Sequence, residues 1–313
     1  MPIPLRLIFM GTPDFAVPAL ETLLALPEAR VVAVVTAPDR PAGRGRQLQA
    51  SAVQAAALAH GLPMLQPTNL KDPDFQAELK SYAADLQVVV AFRMLPEAVW
   101  NMPPLGSLNI HGSLLPQYRG AAPINWALMH GETETGVTSF FLRHEIDTGD
   151  LIFQDVVAIA SEDDFGSWDD KMKFAGAALA GRTVAAIAAG TAPSVPQTNP
   201  PDLRPAPKIQ KETGRLDLAR PMAELVNWVR GLSPAPGAFL TLPDGRPLKV
   251  FRAQAVAFDS AAAPGTWASD GRQYLRVAAT DGWLDVLDVQ LEGKKRLLVA
   301  EFLRGFKLTQ VAN

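Results

Sequence analysis

The 313-residue sequence predicts an α/β fold, a mostly parallel sheet interleaved with helices, followed by a smaller antiparallel β-barrel. Three observations carry this. Short apolar runs recur through the first half at intervals of roughly 25 residues, with helical patterns between them, as βαβ crossovers require. Val-Val-Ala-Val-Val and Leu-Gln-Val-Val-Val-Ala are continuously apolar, as strands covered on both faces are. Beyond residue 236 short alternating runs are separated by turn signals: Pro-Asp-Gly-Arg at 243–246, Ala-Pro-Gly at 263–265, Ser-Asp-Gly at 269–271 and Thr-Asp-Gly at 280–282.

Taken in order, Leu5–Met10 reads as a buried strand ending at Gly11. Thr12-Pro13 then offers an N-cap with proline at the first helical position, opening a helix to about Leu26. Strands follow at Val31–Thr36, Pro63–Gln66, Leu86–Ala91 and Leu108–His111, with helices over Ser51–His60, Pro73–Ala83 and Pro96–Trp100. Leu151–Ile159 is another strand, and Ser161–Asp164 has capping-box spacing before an Ala-rich helix reaching Gly190. Thr191–Pro207 holds six prolines in seventeen residues, which marks an extended linker. The expected domains are therefore 1–190, a linker over 191–207, and 208–313.

A hydrophobic fraction of 48% and a formal net charge of −3 exclude a disordered chain. The absence of cysteine excludes disulfides, thiolate metal sites, iron–sulfur clusters and a cysteine nucleophile. No apolar run approaches the roughly 20 residues that span a bilayer. The N-terminus enters a strand pattern too soon for a secretory leader, so a soluble, cytoplasmic protein is expected. Residues 1–207 carry 14 Lys+Arg against 21 Asp+Glu, a net of −7, whereas 208–313 carry 15 against 11, a net of +4. That asymmetry hints at a polyanion partner for the tail.

Several chemistries are missing. No G-x-G-x-x-G follows the first strand, no phosphate loop occurs, and no G-x-S-x-G elbow is present. His144-Glu-Ile-Asp-Thr148 lacks the second histidine of a zinc-protease helix, and four histidines in all leave little for a metal site.

What remains is a dense polar run at 109–123, Asn-Ile-His-Gly-Ser-Leu-Leu-Pro-Gln-Tyr-Arg-Gly-Ala-Ala-Pro. Asn109 and His111 lie two apart on the expected strand, so their side chains share a face. His111 falls at the strand's C-terminal end, where open α/β sheets bind ligands. Asp147 precedes Thr148-Gly149, where a tight turn could return it to the sheet edge. An amide, an imidazole and a carboxylate suit group transfer through a tetrahedral intermediate: oxyanion donor, proton shuttle and orienting charge. Each also has a plain structural use, the histidine as a satisfied hydrogen-bonding residue and the aspartate as a turn former.

Phe9–Ala16, Asn109–Ile124 and Ile146–Asp150, with Thr36–Gly45, Ala206–Ile209, Gly214–Asp217, Arg230–Ala238, Gln290–Lys295 and Glu301–Gly305, resemble the methionyl-tRNA formyltransferase family. The likeness runs nearly end to end. The Asn-x-His-x-Ser-Leu-Leu-Pro core alone marks a wider group of folate-dependent formyltransferases and a related hydrolase. The basic loop and the C-terminal segments narrow it to the tRNA enzymes.

The resemblance implies a Rossmann-like formyltransferase fold and an OB-like barrel. It also implies 10-formyltetrahydrofolate as donor and initiator methionyl-tRNA as acceptor, with no metal and no membrane, in a chain expected to act as a monomer. Asn109, His111 and Asp147 match the family's catalytic residues. Ser113, Leu114, Leu115 and Pro116 would border the folate, and main-chain groups near Phe92, Arg93, Met94 and Leu95 would hold its pterin. Arg93 is a departure, standing where the family usually has glycine; it would either stay in solvent or alter folate affinity. In the connection over Thr36–Val53, Arg40, Arg44 and Arg46 match a loop that enters the tRNA acceptor end, Arg44 at its key arginine. Lys208, Arg246, Lys249, Arg252, Lys294, Lys295 and Arg296 are further candidates for the RNA backbone. Rival readings are formyl transfer to a small amine such as an amino-sugar nucleotide, hydrolysis of the folate, or RNA binding without catalysis.

Overall fold

Phe9 and Met10 are neighbours in the first strand and both fully buried, yet they belong to different hydrophobic clusters. The computed structural model of the chain, which describes residues 3–42, 47–258 and 262–308, shows why. In order come β1 (Leu5–Gly11), α1 (Val17–Ala25), β2 (Ala29–Val35), β3 (Arg40–Ala42), β4 (Gln47–Gln49), α2 (Ala52–Ala59), β5 (Met64–Leu65) and α3 (Pro73–Ser81). Then follow β6 (Leu86–Val90), α4 (Glu97–Trp100), β7 (Ser107–His111), α5 (Pro123–Met129), β8 (Glu134–Phe141), β9 (Leu151–Ala158) and α6 (Phe165–Ala188). The remainder holds α7 (Met222–Leu232), β10 (Ala238–Thr241), β11 (Pro247–Val256), β12 (Trp267–Ser269), β13 (Leu275–Ala278), β14 (Trp283–Leu291), β15 (Leu297–Leu298) and α8 (Val299–Gly305).

These elements form two compact units. The first comprises Met1–Gly120, Glu134–Ala158 and Asp169–Pro205; the second comprises Ala121–Thr133, Ile159–Trp168 and Ala206–Asn313.

In the first unit seven strands run in the order β5-β2-β1-β6-β7-β8-β9. β5 through β7 pair in parallel, while β8 is antiparallel to both β7 and β9. Leu7, Phe9, Leu86, Val88 and Val90 face one cluster; Ile8, Met10 and Val89 face the other. Each such fully buried side chain is worth about 1.5–3 kcal/mol relative to exposure. Both faces are thus spoken for, which explains the continuous valine runs. Small residues on α6 let it lie close to the sheet: a Cβ added at Gly176 would sit 3.3 Å from Ile110 Cγ2.

Several boundaries differ from the sequence reading. The turn after Gly11 is first a short 3-10 helix at Asp14–Ala16, so α1 starts later than Thr12-Pro13 suggested. The cap of α6 is Asp164, whose carboxylate accepts from Ser167 N at 2.9 Å while Ser167 Oγ accepts from Asp164 N at 3.1 Å. A carboxylate three residues before Ser167 outcompetes the expected box starting at Ser161. β8 escaped notice because Gly136, Thr138 and Ser139 interrupt its apolar pattern.

The second unit is built on an antiparallel sheet ordered β10-β11-β14-β13-β12, with β15 added to β14. Leu225, Val229 and Leu232 of α7 join Leu248, Val250, Val286 and Val289 in one cluster. α5 and α7 approach closely at Gly231, where a Cβ would meet Met129 Cγ at 2.5 Å. Arg230 ties Asp163 O and Ala160 O at 2.7 and 2.9 Å, securing the segment before α6 within this unit. Among the described residues no helix is long and apolar enough to cross a membrane.

One charge on α6 is held unfavourably. Burial first, and then the neighbouring Asp14, push the Asp169 carboxyl up to about 6. The folded chain therefore keeps a proton that the unfolded chain releases near pH ~3.9. Stability falls as pH rises from about 4 to about 6, and the penalty is complete above that window. Asp169→Asn should raise the melting temperature at pH 8 and leave it unchanged at pH 4; an equal gain at both would show that the charge is not the cause.

Candidate active site

β7 ends at His111. Asn109 pairs with Val89 of β6 and Phe140 of β8, and His111, two residues on, is opposite Thr138. His111 is 6% exposed, with its ring edge-on to Phe140 at 6.4 Å. Asn109 is half-buried, and none of the hydrogen bonds among the described residues uses its carboxamide.

Two contacts hold the imidazole. Its Nε2 lies 2.9 Å from the Tyr118 carbonyl, which can only accept, so Nε2 carries the proton. The other nitrogen, Nδ1, faces Asp147 Oδ2 at 3.8 Å, in a pair of which little is exposed. That separation is longer than a hydrogen bond and short enough for strong attraction once the ring is charged.

Asp147 sits at φ 53°, in the left-handed region that a non-glycine residue enters at a cost. Its Oδ2 accepts from Gly120 N at 2.9 Å, and its carbonyl accepts from Gln197 Nε2 at 2.9 Å. Gly149 is required two residues on, because a Cβ there would lie 1.6 Å from Phe141 O. Tyr118, at φ 60°, and Gly120, at φ 128°, shape the loop that supplies both the Tyr118 carbonyl and the Gly120 amide.

Ser113–Pro116 is locked from behind. Thr138 Oγ1 donates to Ser113 O at 2.6 Å and accepts from Leu115 N at 3.1 Å, while Gln154 Nε2 donates to Leu115 O at 2.9 Å. The Ser113 hydroxyl donates to Gln117 O at 2.6 Å. Leu115 is buried, Leu114 and Pro116 are half-buried, and the Leu115–Pro116 bond is cis.

The segment after β6 behaves differently. Leu95 is buried, Phe92 and Arg93 are half-buried and Met94 is 74% exposed. None of the described backbone hydrogen bonds uses the amides or carbonyls of residues 92–95, so this stretch of main chain is free to serve another molecule. Arg93 turns away from open solvent: Nη1 donates to Thr68 O at 3.0 Å, Nη2 donates to Pro67 O, and the guanidinium lies 5.6 Å from the Phe92 ring centroid. Burial, with Arg40 second, lowers its pKa from the usual arginine value.

A polar cavity of about 550 Å³ opens beside the Asp147 turn, lined by Trp100, Arg119, Arg143, Thr148 and Gln197 among others. Among the described residues no group of three or more His, Asp or Glu side chains is placed to hold a metal ion.

The sequence profile of the formyl transferase domain matches residues 5–184, and that of the formyl transferase C-terminal domain matches 208–307. Methionyl-tRNA formyltransferase of Bacteroides fragilis is 51% identical over 313 residues, covering 98% of this chain and 96% of that protein. That of Bacteroides thetaiotaomicron is 50% identical, covering 97% of each. The chain belongs to the methionyl-tRNA formyltransferase family. Among solved structures, an N-formyltransferase of Helicobacter canadensis in complex with folinic acid and dTDP-3-aminofucose shares the fold. Its TM-score is 0.66 at 17% identity, over 92% of this chain and 99% of that one.

Within this family fold the structure brings Asn109, His111 and Asp147 to one strand end, with Ser113–Pro116 beside them. Arg40 is exposed on β3, opposite Gln49, at the base of the basic loop; Arg44 and Arg46 lie outside the described residues. That base is pinned by Thr36 Oγ1 against Ser51 Oγ at 2.7 Å and by Gln66 Nε2, which donates to Ala37 O and to Asp39 Oδ1.

In the second unit Lys208, Lys249, Arg252, Lys294 and Lys295 are exposed, and Lys249 Nζ donates to Pro236 O at 2.6 Å. Arg246 is bound to Asp244 at 2.6 Å and Arg296 to Asp288 at 2.7 Å. Sequence reasoning missed Tyr118, Arg119, Gly120, Thr138, Gln154 and Gln197. Their roles come through main-chain groups or contacts between distant segments, which leave no periodic signal.

Proposed function

We propose that the protein transfers the formyl group of 10-formyltetrahydrofolate to the α-amino group of methionine on initiator methionyl-tRNA, giving N-formylmethionyl-tRNA for translation initiation. One observation carries the reading. The uncommitted carboxamide of Asn109 and the Nδ1 of His111 facing Asp147 share a strand end, in a chain about half identical to methionyl-tRNA formyltransferases along its whole length.

The residues present fit a folate. Free main-chain groups over Phe92, Arg93, Met94 and Leu95 suit the amide-like edge of a pterin, and the locked Ser113, Leu114, Leu115 and Pro116 form a firm border. When bound, the folate supplies a formyl carbonyl on N10, a weakly basic arylamine nitrogen able to leave. The Asn109 amide donates to the carbonyl oxygen as it gains negative charge. His111 takes up and returns a proton at Nδ1, because Nε2 is already committed to Tyr118 O. Asp147, oriented by the Gly120 amide, stabilises the imidazolium when it forms. Phe140 keeps water from one edge of that ring. No metal is assigned a part.

In this reading 1–190 is the catalytic domain, 191–207 the linker and 208–313 the tRNA-binding barrel of a cytoplasmic monomer. Arg40, Arg44 and Arg46 contact the acceptor end, and Lys208, Arg246, Lys249, Lys294 and Lys295 track the phosphate backbone.

The deciding assay offers 10-formyltetrahydrofolate with charged initiator methionyl-tRNA, elongator methionyl-tRNA and free methionine in parallel. Transfer confined to the initiator substrate is expected; transfer to none of them, with folate still bound, would refute the reading. His111→Ala should lower kcat by on the order of 10²–10⁴ with tRNA binding kept. Asn109→Ala should cost about 10²–10³ in kcat, and an effect on KM alone would remove it from the oxyanion role. Arg44→Ala should weaken use of methionyl-tRNA while sparing folate affinity, measured by titration of each ligand.

A further inference from the structure

The six-proline segment over 191–207 does more than connect. Val195 exchanges both backbone hydrogen bonds with Leu151, at 3.0 and 2.8 Å, which sets the register of the segment against the start of β9. Two residues on, the Gln197 side chain reaches the Asp147 turn. Its Nε2 donates to Asp147 O at 2.9 Å and to Gly149 O at 2.8 Å. Its Oε1 accepts from Arg119 Nε at 3.2 Å and Arg119 Nη2 at 2.6 Å.

The orientation of this carboxamide is forced by its partners. Two carbonyls on one side can only accept, and a guanidinium on the other can only donate. A flipped amide would set oxygen against two carbonyls and N–H₂ against a cation, so the network admits one arrangement. Both donors and both acceptor sites of the group are in use.

Arg119 stands between the two residues that grip the catalytic pair. Tyr118, before it, accepts from His111 Nε2; Gly120, after it, donates to Asp147 Oδ2. Arg119 Nη1 also donates to Asn199 Oδ1 at 3.0 Å, and Tyr118 N donates to Arg204 O at 2.7 Å. The Pro-rich segment thus binds the Asp147 turn with one residue and the 118–120 loop with several. Asp147 is held at φ 53°, a conformation that persists only where surrounding contacts over-determine it.

We propose that Gln197 is a positioning residue of the active site, holding the Asp147 turn against the 118–120 loop so that the carboxylate faces His111. The proposal rests on the catalytic roles given to His111 and Asp147 above. Gln197 touches neither reacting group; it acts through the main chain of Asp147 and through Arg119.

Gln197→Glu separates this role from bulk support. The substituted side chain keeps its size and its bond to Arg119 but cannot donate to the carbonyls of Asp147 and Gly149. Formyl transfer by the full-length variant should fall at least about tenfold in kcat, since small displacements of a catalytic group are costly. KM for the folate and for methionyl-tRNA, and the melting temperature, should stay close to wild type. Hydrogen exchange at the Gly120 amide, which reports on its bond to Asp147 without any substrate, should quicken. Unchanged kcat with unchanged Gly120 exchange would overturn the proposal, as would a kcat loss that merely follows a fall in melting temperature. If wild type transfers no formyl group to methionyl-tRNA, the functional reading fails by itself. The Gly120 exchange of the variant against wild type then decides the positioning role.

Discussion

Burial of the central strands on both faces is the constraint from which the site follows. With Leu7, Phe9, Leu86 and Val88 turned into one cluster and Ile8, Met10 and Val89 into the other, both faces of the parallel sheet are filled mostly by apolar side chains, among which an unpaired polar group is costly. Polar chemistry is pushed to the strand ends. There the backbone leaves the ladder, and loops supply the donors and acceptors that sheet pairing no longer does. His111 is the last residue of β7, and its ring is held by the loop that follows.

What those partners are sets the chemistry. A backbone carbonyl on Nε2 leaves the other ring nitrogen uncommitted, and a carboxylate held by a backbone amide faces that nitrogen. The first contact comes from a residue seven positions away and the second from a turn 36 positions away, so the pair forms only when β7, the loop after it and the β8–β9 connection have all folded. The geometry of this pair is therefore tied to the cooperative folding of this side of the sheet.

The sheet was largely legible because its causes are local: apolar runs, glycine stops and proline openings recur within windows of about ten residues. Asn109, His111 and Asp147 were legible for a related reason, since two share a strand face and the third precedes a turn signal. β8 was not, because Gly136 and its hydroxyl-bearing neighbours hide a buried strand behind polar letters. Nor were Gln197 and Arg119, 78 positions apart, which meet in a segment whose prolines erase any period. Arg93 could be flagged as out of place, but its turn toward Pro67 and Thr68 depends on a loop some 25 positions earlier. Charge counting likewise treated every arginine alike, whereas Arg246 and Arg296 are each paired with an aspartate.

The clasp between Thr36 and Ser51, with Gln66 bonded to Ala37 and Asp39, brings together the two ends of the basic loop before anything beyond Asp39 is considered. The entropy of closing that loop is met by contacts belonging to the sheet and to the cap of α2, together with the β3–β4 pairing. Since each doubling of a closed loop's length adds only about 0.6 kcal/mol, sequence and length between the clasped ends are nearly decoupled from the stability of the fold. Changes of sequence or length between the clasped ends can therefore be accepted while the sheet beneath keeps its shape.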